Sequence, residues 1–68
     1  MPTTTYEMTF YDLSGREDSR AQHTNAKDAW DAFRVFAEPD SAEVYSRITL
    51  TAHNWTTGTE TALATLTF

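Results

Sequence analysis

A single stretch with helical spacing interrupts a chain that otherwise alternates, and this decides most of what the chain can become. Ala26, Ala29, Trp30, Phe33, Phe36 and Ala37 follow i, i+3, i+4, i+7 spacing, which gathers them on one stripe of a helix. Asn25 precedes them as an N-cap whose side-chain oxygen takes a free backbone N–H. Asp28 sits in the first turn, where the helix dipole favours an anion. Pro39 ends the helix, because the residue before a proline is pushed out of the α region. The spacing predicts a helix over residues 26–37.

On both sides of it the period is two. From Thr5 to Leu13, Tyr6, Met8 and Phe10 take one face, and Glu7, Thr9 and Tyr11 the other, as in a half-buried strand. Ser14-Gly15-Arg16-Glu17-Asp18 is turn chemistry, and Ser19–His23 is read as a strand pairing back, with weak alternation. After Glu43, Val44, Ile48, Leu50 and Ala52 are predicted on one face. Tyr45, Arg47, Thr49, Thr51, His53 and Trp55 are predicted on the other. Thr56-Thr57-Gly58-Thr59 is a hairpin turn, and Glu60–Phe68 a last strand with Ala62, Ala64, Leu66 and Phe68 in register and Leu63 opposite. Thirteen threonines, most of them in these segments, suit a pleated surface with one wet face. One helix cannot cover both faces of a sheet. The expectation is an α+β, two-layer domain in β-β-α-β-β order, its helix packed on one face of a three- to four-stranded antiparallel sheet. Trp30, Phe33 and Phe36 would pack on Tyr6, Met8, Phe10, Ile48, Leu50, Leu66 and Phe68, leaving the other sheet face open.

The whole chain, residues 1–68, is read as one domain, and at this size only about 60% of the unfolded surface can be buried. Such domains gain stability from disulfides, metals or association. There is no cysteine, and the two histidines, His23 and His53, are too few for a structural zinc site, so no metal or cofactor is expected. Dimerisation, or clamping onto a larger partner, remains. The start MPTTTYEMTF lacks a basic segment followed by an apolar one, and no apolar run reaches the roughly 20 residues of a membrane span. The expected location is cytoplasmic, which leaves the Asn54-Trp55-Thr56 sequon idle.

No catalytic signature is present, and the chain is read as a non-enzyme. His53 with Asp12 or Glu60, plus a serine, could be drawn as a triad, but no context such as G-x-S-x-G accompanies them. The open face, with Tyr11, Tyr45, Arg47, His53 and Trp55, is the more informative candidate. Aromatics beside a cation on a sheet can stack bases, yet after Arg47 there is no Lys or Arg for a phosphate strand to follow. A protein contact is the alternative, since Tyr, Trp and Arg anchor interfaces. An ordinary wet face with scattered aromatics is the plain one.

Charge is the remaining feature. The formal net charge is −5, and it is uneven: residues 25–43 carry Asp28, Asp31, Glu38, Asp40 and Glu43 against Lys27 and Arg34. Glu17 and Asp18 add acid in the first turn, whereas residues 44–68 balance Arg47 against Glu60. Lys27 with Asp31 and Arg34 with Glu38 are spaced as helix pairs; the other acids have no local partner. Over Asp28–Glu38 a helix rises about 15 Å, comparable to a few base pairs of duplex.

The stretch DAWDAFRVFAEPDSAEV, the small size, the missing cysteine and the one-helix sheet together resemble the small acidic inhibitors of phages and mobile elements, the anti-CRISPR and anti-restriction class, several of which mimic DNA. The resemblance implies a non-enzymatic protein that binds no nucleic acid or membrane itself and occupies a basic nucleic-acid-binding groove on a larger protein, such as a CRISPR effector or defence nuclease. Asp28, Asp31, Glu38, Asp40, Glu43, Glu17 and Asp18 are the residues expected to carry that contact. The other reading is a small homodimeric structural or regulatory subunit joined through Tyr45, Arg47, His53 and Trp55 of the open face.

Overall fold

The computed structural model describes residues 3–68. Four strands, β1 (Thr4–Asp12), β2 (Glu17–His23), β3 (Tyr45–Asn54) and β4 (Thr59–Thr67), form one antiparallel sheet in the order β2-β1-β3-β4. One helix, α1 (Ala26–Val35), packs with the sheet, chiefly against β1 and β2, and a short 3-10 helix (Pro39–Glu43) leads into β3. The fold is therefore α+β with β-β-α-β-β order. Among the described residues no helix is long and apolar enough to cross a membrane.

The helix starts as its sequence dictates. Asn25 is extended, and its Oδ1 accepts from Asp28 N–H at 2.9 Å. It stops earlier than the apolar spacing predicts. Phe36 is the C-cap, and Phe36 and Ala37 donate to Phe33 and Arg34 carbonyls in tightened i→i+3 bonds. Pro39 opens the 3-10 helix rather than directly ending α1. Ala26 and Ala37, placed on the apolar stripe by spacing, are exposed. The core consists of Met8, Phe10, Ala29, Phe33, Ile48 and Leu50, flanked by Tyr6, Trp30, Phe36 and Leu66 among others. Phe68 is outside it: the residue lies past the end of the β4 edge strand and is 41% exposed.

Three one-residue irregularities correct the simple alternation. In β2, Phe10 faces Ser19 and Tyr11 faces Glu17, so Asp18 is the extra residue, and Glu17 and Asp18 belong to the strand rather than to the turn. In β3, Tyr11 faces Arg47 and Asp12 faces Tyr45, so Ser46 is extra; its hydroxyl donates to the Asp12 carbonyl at 2.6 Å. This reverses Tyr45. Instead of sharing the open face with Arg47, its ring packs on the core side, with centroids 5.1 Å from Phe10 and 6.4 Å from Phe36. In β4, Leu50 faces Ala64 and Thr51 faces Ala62, so Leu63 is extra and Ala62 is not in register with Ala64. A bulge shifts the parity of everything beyond it.

The turns follow their chemistry. Asp12 Oδ1 accepts from the Ser14 and Arg16 backbone and the Ser14 hydroxyl, with Gly15 at φ 87°, a left-handed conformation natural to glycine. Asn54 Oδ1 plays the same part for Thr56 and Thr57 N–H, with Gly58 at φ 73°.

Candidate functional site

The acids of the helix are used locally. Asn25 Nδ2 donates to Asp28 Oδ2 at 3.1 Å, so the N-cap and the first-turn carboxylate hold one another. Asp31 lies between Lys27 (2.6 Å) and Arg34 (3.5 Å). The Lys27 hydrogen bond, helped by the charges of Lys27 and Arg34, holds the Asp31 carboxyl below its usual pKa against the desolvation that raises it. The expected Arg34–Glu38 pair is not formed, because α1 ends at Val35 and Glu38 falls beyond the helical spacing that would align it. The outer helix face thus sets two carboxylates against two cations: the expected Lys27–Asp31 pair forms, and Asp28, for which spacing predicts no local partner, is held by the N-cap.

The uncompensated acid lies just past the helix. Glu38, Asp40 and Glu43 form no ion pair among the described residues, nor does Asp18. Topology brings these segments to one end of the sheet. Phe36 stacks edge-on against Phe10 at 4.9 Å, Phe10 faces Ser19 of β2, and the exit loop returns through Tyr45 opposite Asp12. Glu17 parts from this group. Opposite Tyr11, it turns to the sheet's other face and pairs with Arg20 at 2.7 Å.

That other face forms an open groove of about 420 Å³. Arg20 spans Glu7 (3.2 Å) and Glu17, whose hydrogen bond, followed by the charges of both carboxylates, raises the guanidinium pKa. The Arg47 guanidinium sits 4.1 Å over the Tyr11 ring, a cation–π contact. At the far end His53 and Trp55 have centroids 4.0 Å apart, and His53 Nδ1 is 3.2 Å from Glu60 Oε1. Trp55 Nε1 donates to Thr5 Oγ1 at 2.9 Å, tethering a ring that is 60% exposed. Three carboxylates against Arg20 line this groove, a charge that reading β2 as a short strand from Ser19 hides.

Of the drawn triad, His53 and Glu60 come together and Asp12 does not. Asp12 is at the opposite end of β1, where its carboxylate serves the turn, and no serine lines the groove. No group of three or more metal-ligating side chains occurs among the described residues. His23 is set on the core side opposite Tyr6, its Nε2 buried without a hydrogen-bond partner among the described residues.

No protein-family model matches the sequence, and neither a curated protein nor a solved structure matches it.

Proposed function

We propose that this chain is a non-enzymatic binding protein that presents its acidic end to a basic, nucleic-acid-binding site on a larger protein. The observation that carries the reading is the set Glu38, Asp40 and Glu43. These carboxylates have no ion-pair partner among the described residues, on a loop that topology places at the same sheet end as Asp18. Unpaired exposed acids steer association with a basic partner and repel phosphate, over a Debye length of about 8 Å at physiological salt. An inhibitor of a CRISPR complex or defence nuclease is the instance that the acidity and size favour. The domain is then a two-layer unit whose core occupies one sheet face and whose contacts are made by its end.

The test is competition. A partner captured from the host should release the chain when DNA or RNA is added, and binding should weaken steeply as salt rises. The chain alone should shift no nucleic acid in a gel. Reversing Glu38, Asp40 and Glu43 to Lys should abolish capture with the circular dichroism spectrum unchanged. A partner that binds this variant as tightly as wild type, or that holds chain and nucleic acid together, rejects the reading.

The second reading, a homodimer joined through the groove, has the exposed Trp55 in its favour. The groove's own charge opposes it, since two copies face to face would set Glu7, Glu17 and Glu60 against their equals.

A further inference from the structure

The two ends of the groove differ in charge. At the Tyr11 end, Glu17 is answered by Arg20, and the Arg47 guanidinium lies over the Tyr11 ring. At the Trp55 end, Glu7 only shares Arg20, and Glu60 meets only the His53 ring. Each of these two carboxylates uses Oε1 for that contact, and the Oε2 of each has no partner among the described residues. Register sets Thr5 beside His53 and His53 beside Glu60, with Glu7 two residues along β1. The Trp55 ring, bonded to Thr5 Oγ1 and in contact with His53, therefore stands between the two acids. The floor supplies a second, independent observation. Thr9 lines the groove and is only 7% exposed, yet its hydroxyl makes no hydrogen bond among the described residues. A buried polar group of this kind is a preformed contact for a molecule lying in the groove.

We propose that the Trp55 end of the groove binds a short linear aliphatic diamine, one ammonium at Glu60 and one at Glu7, with the methylene chain against the indole ring. Charge and hydrogen-bonding capacity select this class. The free groups are chiefly acceptors, two carboxylate oxygens and the Thr9 hydroxyl among them. An ammonium brings three donors and no acceptor, and it is attracted to the face of an indole. An anion is repelled, and a neutral polyol brings as many acceptors as donors. The acids are strung out rather than clustered, and no group of three metal-ligating side chains occurs among the described residues. Two strand spacings and two residues separate the backbone positions of Glu7 and Glu60, about 12 Å, so the gap between them suits a chain with a charge at each end. The groove volume of about 420 Å³ is on the small-molecule scale. The site is independent of the acidic-end reading, and failure of either leaves the other standing.

Titration of putrescine into the whole chain, followed by the nuclear magnetic resonance signal of the Trp55 indole N–H, tests it. Trp55→Phe assigns that signal, and the Trp30 indole serves as an internal reference. Saturable movement is expected at Trp55 and at the Thr9 amide, with the Asp40 and Glu43 amides still. Butylamine, with one ammonium, should bind about tenfold more weakly, and so should putrescine to Glu60→Gln or Glu7→Gln, each lacking one charge-assisted contact. Glu38→Gln with Glu43→Gln has the same net charge as Glu7→Gln with Glu60→Gln, yet should bind as wild type does. An unmoved Trp55 signal or equal affinity for butylamine overturns the proposal. Equal losses in the two double variants overturn it as well, since they mean diffuse attraction to an acidic protein. A tetralysine peptide that moves these signals where putrescine does not overturns it in favour of a protein segment. If Glu7→Gln loosens the Arg20 bridge and with it β2, Glu60→Gln, at an exposed position, decides alone.

Discussion

Asp31 stands between two cations of its own helix, 2.6 Å from Lys27 Nζ and 3.5 Å from Arg34 Nη1. The Lys27 pairing that helical spacing anticipates is thus joined by a second cation, and the carboxylate is committed to the helix surface. A test of the acidic end should therefore spare it. Asp31→Asn should leave partner binding within about twofold, while the Glu38, Asp40 and Glu43 reversal removes it; exposed pairs of this kind contribute little. Parallel titrations of the two variants against the same partner check the contrast.

Acid stability follows from the same residue and from Asp12. The Ser14 hydroxyl, and then the Arg16 backbone N–H, lower the Asp12 pKa, as the Lys27 ammonium does for Asp31. Each folded-state pKa lies below its unfolded value, so the contribution is complete above the unfolded value and fades as pH falls through the folded one. Urea midpoints should drop below about pH 4, near the unperturbed aspartate value. Asp12→Asn with Asp31→Asn should flatten that drop. Identical slopes in wild type and double variant would reject these two groups as its source.

The helix anchors are unequal. Phe33 is 6% exposed, whereas Trp30 is only half-buried, its ring edge-on to Phe33 at 5.9 Å. Phe33→Ala should cost about 3 to 5 kcal/mol, which approaches the whole stability of a domain this small. Trp30→Ala should cost less. Chemical denaturation ranks them, and a larger loss at Trp30 would contradict the packing.

Tyr45 gives a direct reading of the β3 bulge. With its ring against Phe10 and Phe36, Tyr45→Ala should cost roughly 2 kcal/mol, about half the value for a fully buried aromatic. Arg47→Ala, two residues on and facing the groove, should fall within about 0.5 kcal/mol of wild type. Equal effects would mean that the two side chains share a face.

His23 is expected to be replaceable with gain. A buried ring nitrogen without a partner carries a desolvation cost of about 1 to 3 kcal/mol, which an apolar side chain of similar size avoids. His23→Leu should leave the urea midpoint unchanged or raise it. A clear fall would show that an ordered water or another group satisfies Nε2.

Asn25, Ala29, Phe33 and the strand positions Met8, Phe10, Ile48 and Leu50 were legible in the sequence, because capping chemistry and the two periods act within a few residues of themselves. Tyr45, Ala62 and Glu17 were misplaced for one shared reason. Alternation assumes that every residue turns the face over, and at Asp18, Ser46 and Leu63 one residue does not. None of these three is a glycine, so nothing local marks them; each is set by how the neighbouring strand aligns. The acidic end was half legible. The excess of carboxylates in residues 25–43 is plain from composition, but which of them are consumed depends on where the helix stops.

The order β2-β1-β3-β4 also governs how the chain reaches this state. Each outer pairing is a hairpin that closes a short loop, whereas β1 and β3 join partners from 33 residues apart (Asp12 with Tyr45) to 50 (Thr4 with Asn54). Met8 and Phe10 meet Leu50 and Ile48 only across that central seam. Neither hairpin has a core until the seam closes, and closing it is entropically costly before any apolar contact rewards it. The meeting of the two halves is therefore the step expected to limit the folding rate. A slow single-exponential refolding phase, insensitive to the turn at Gly58 and sensitive to Ile48, is its kinetic signature.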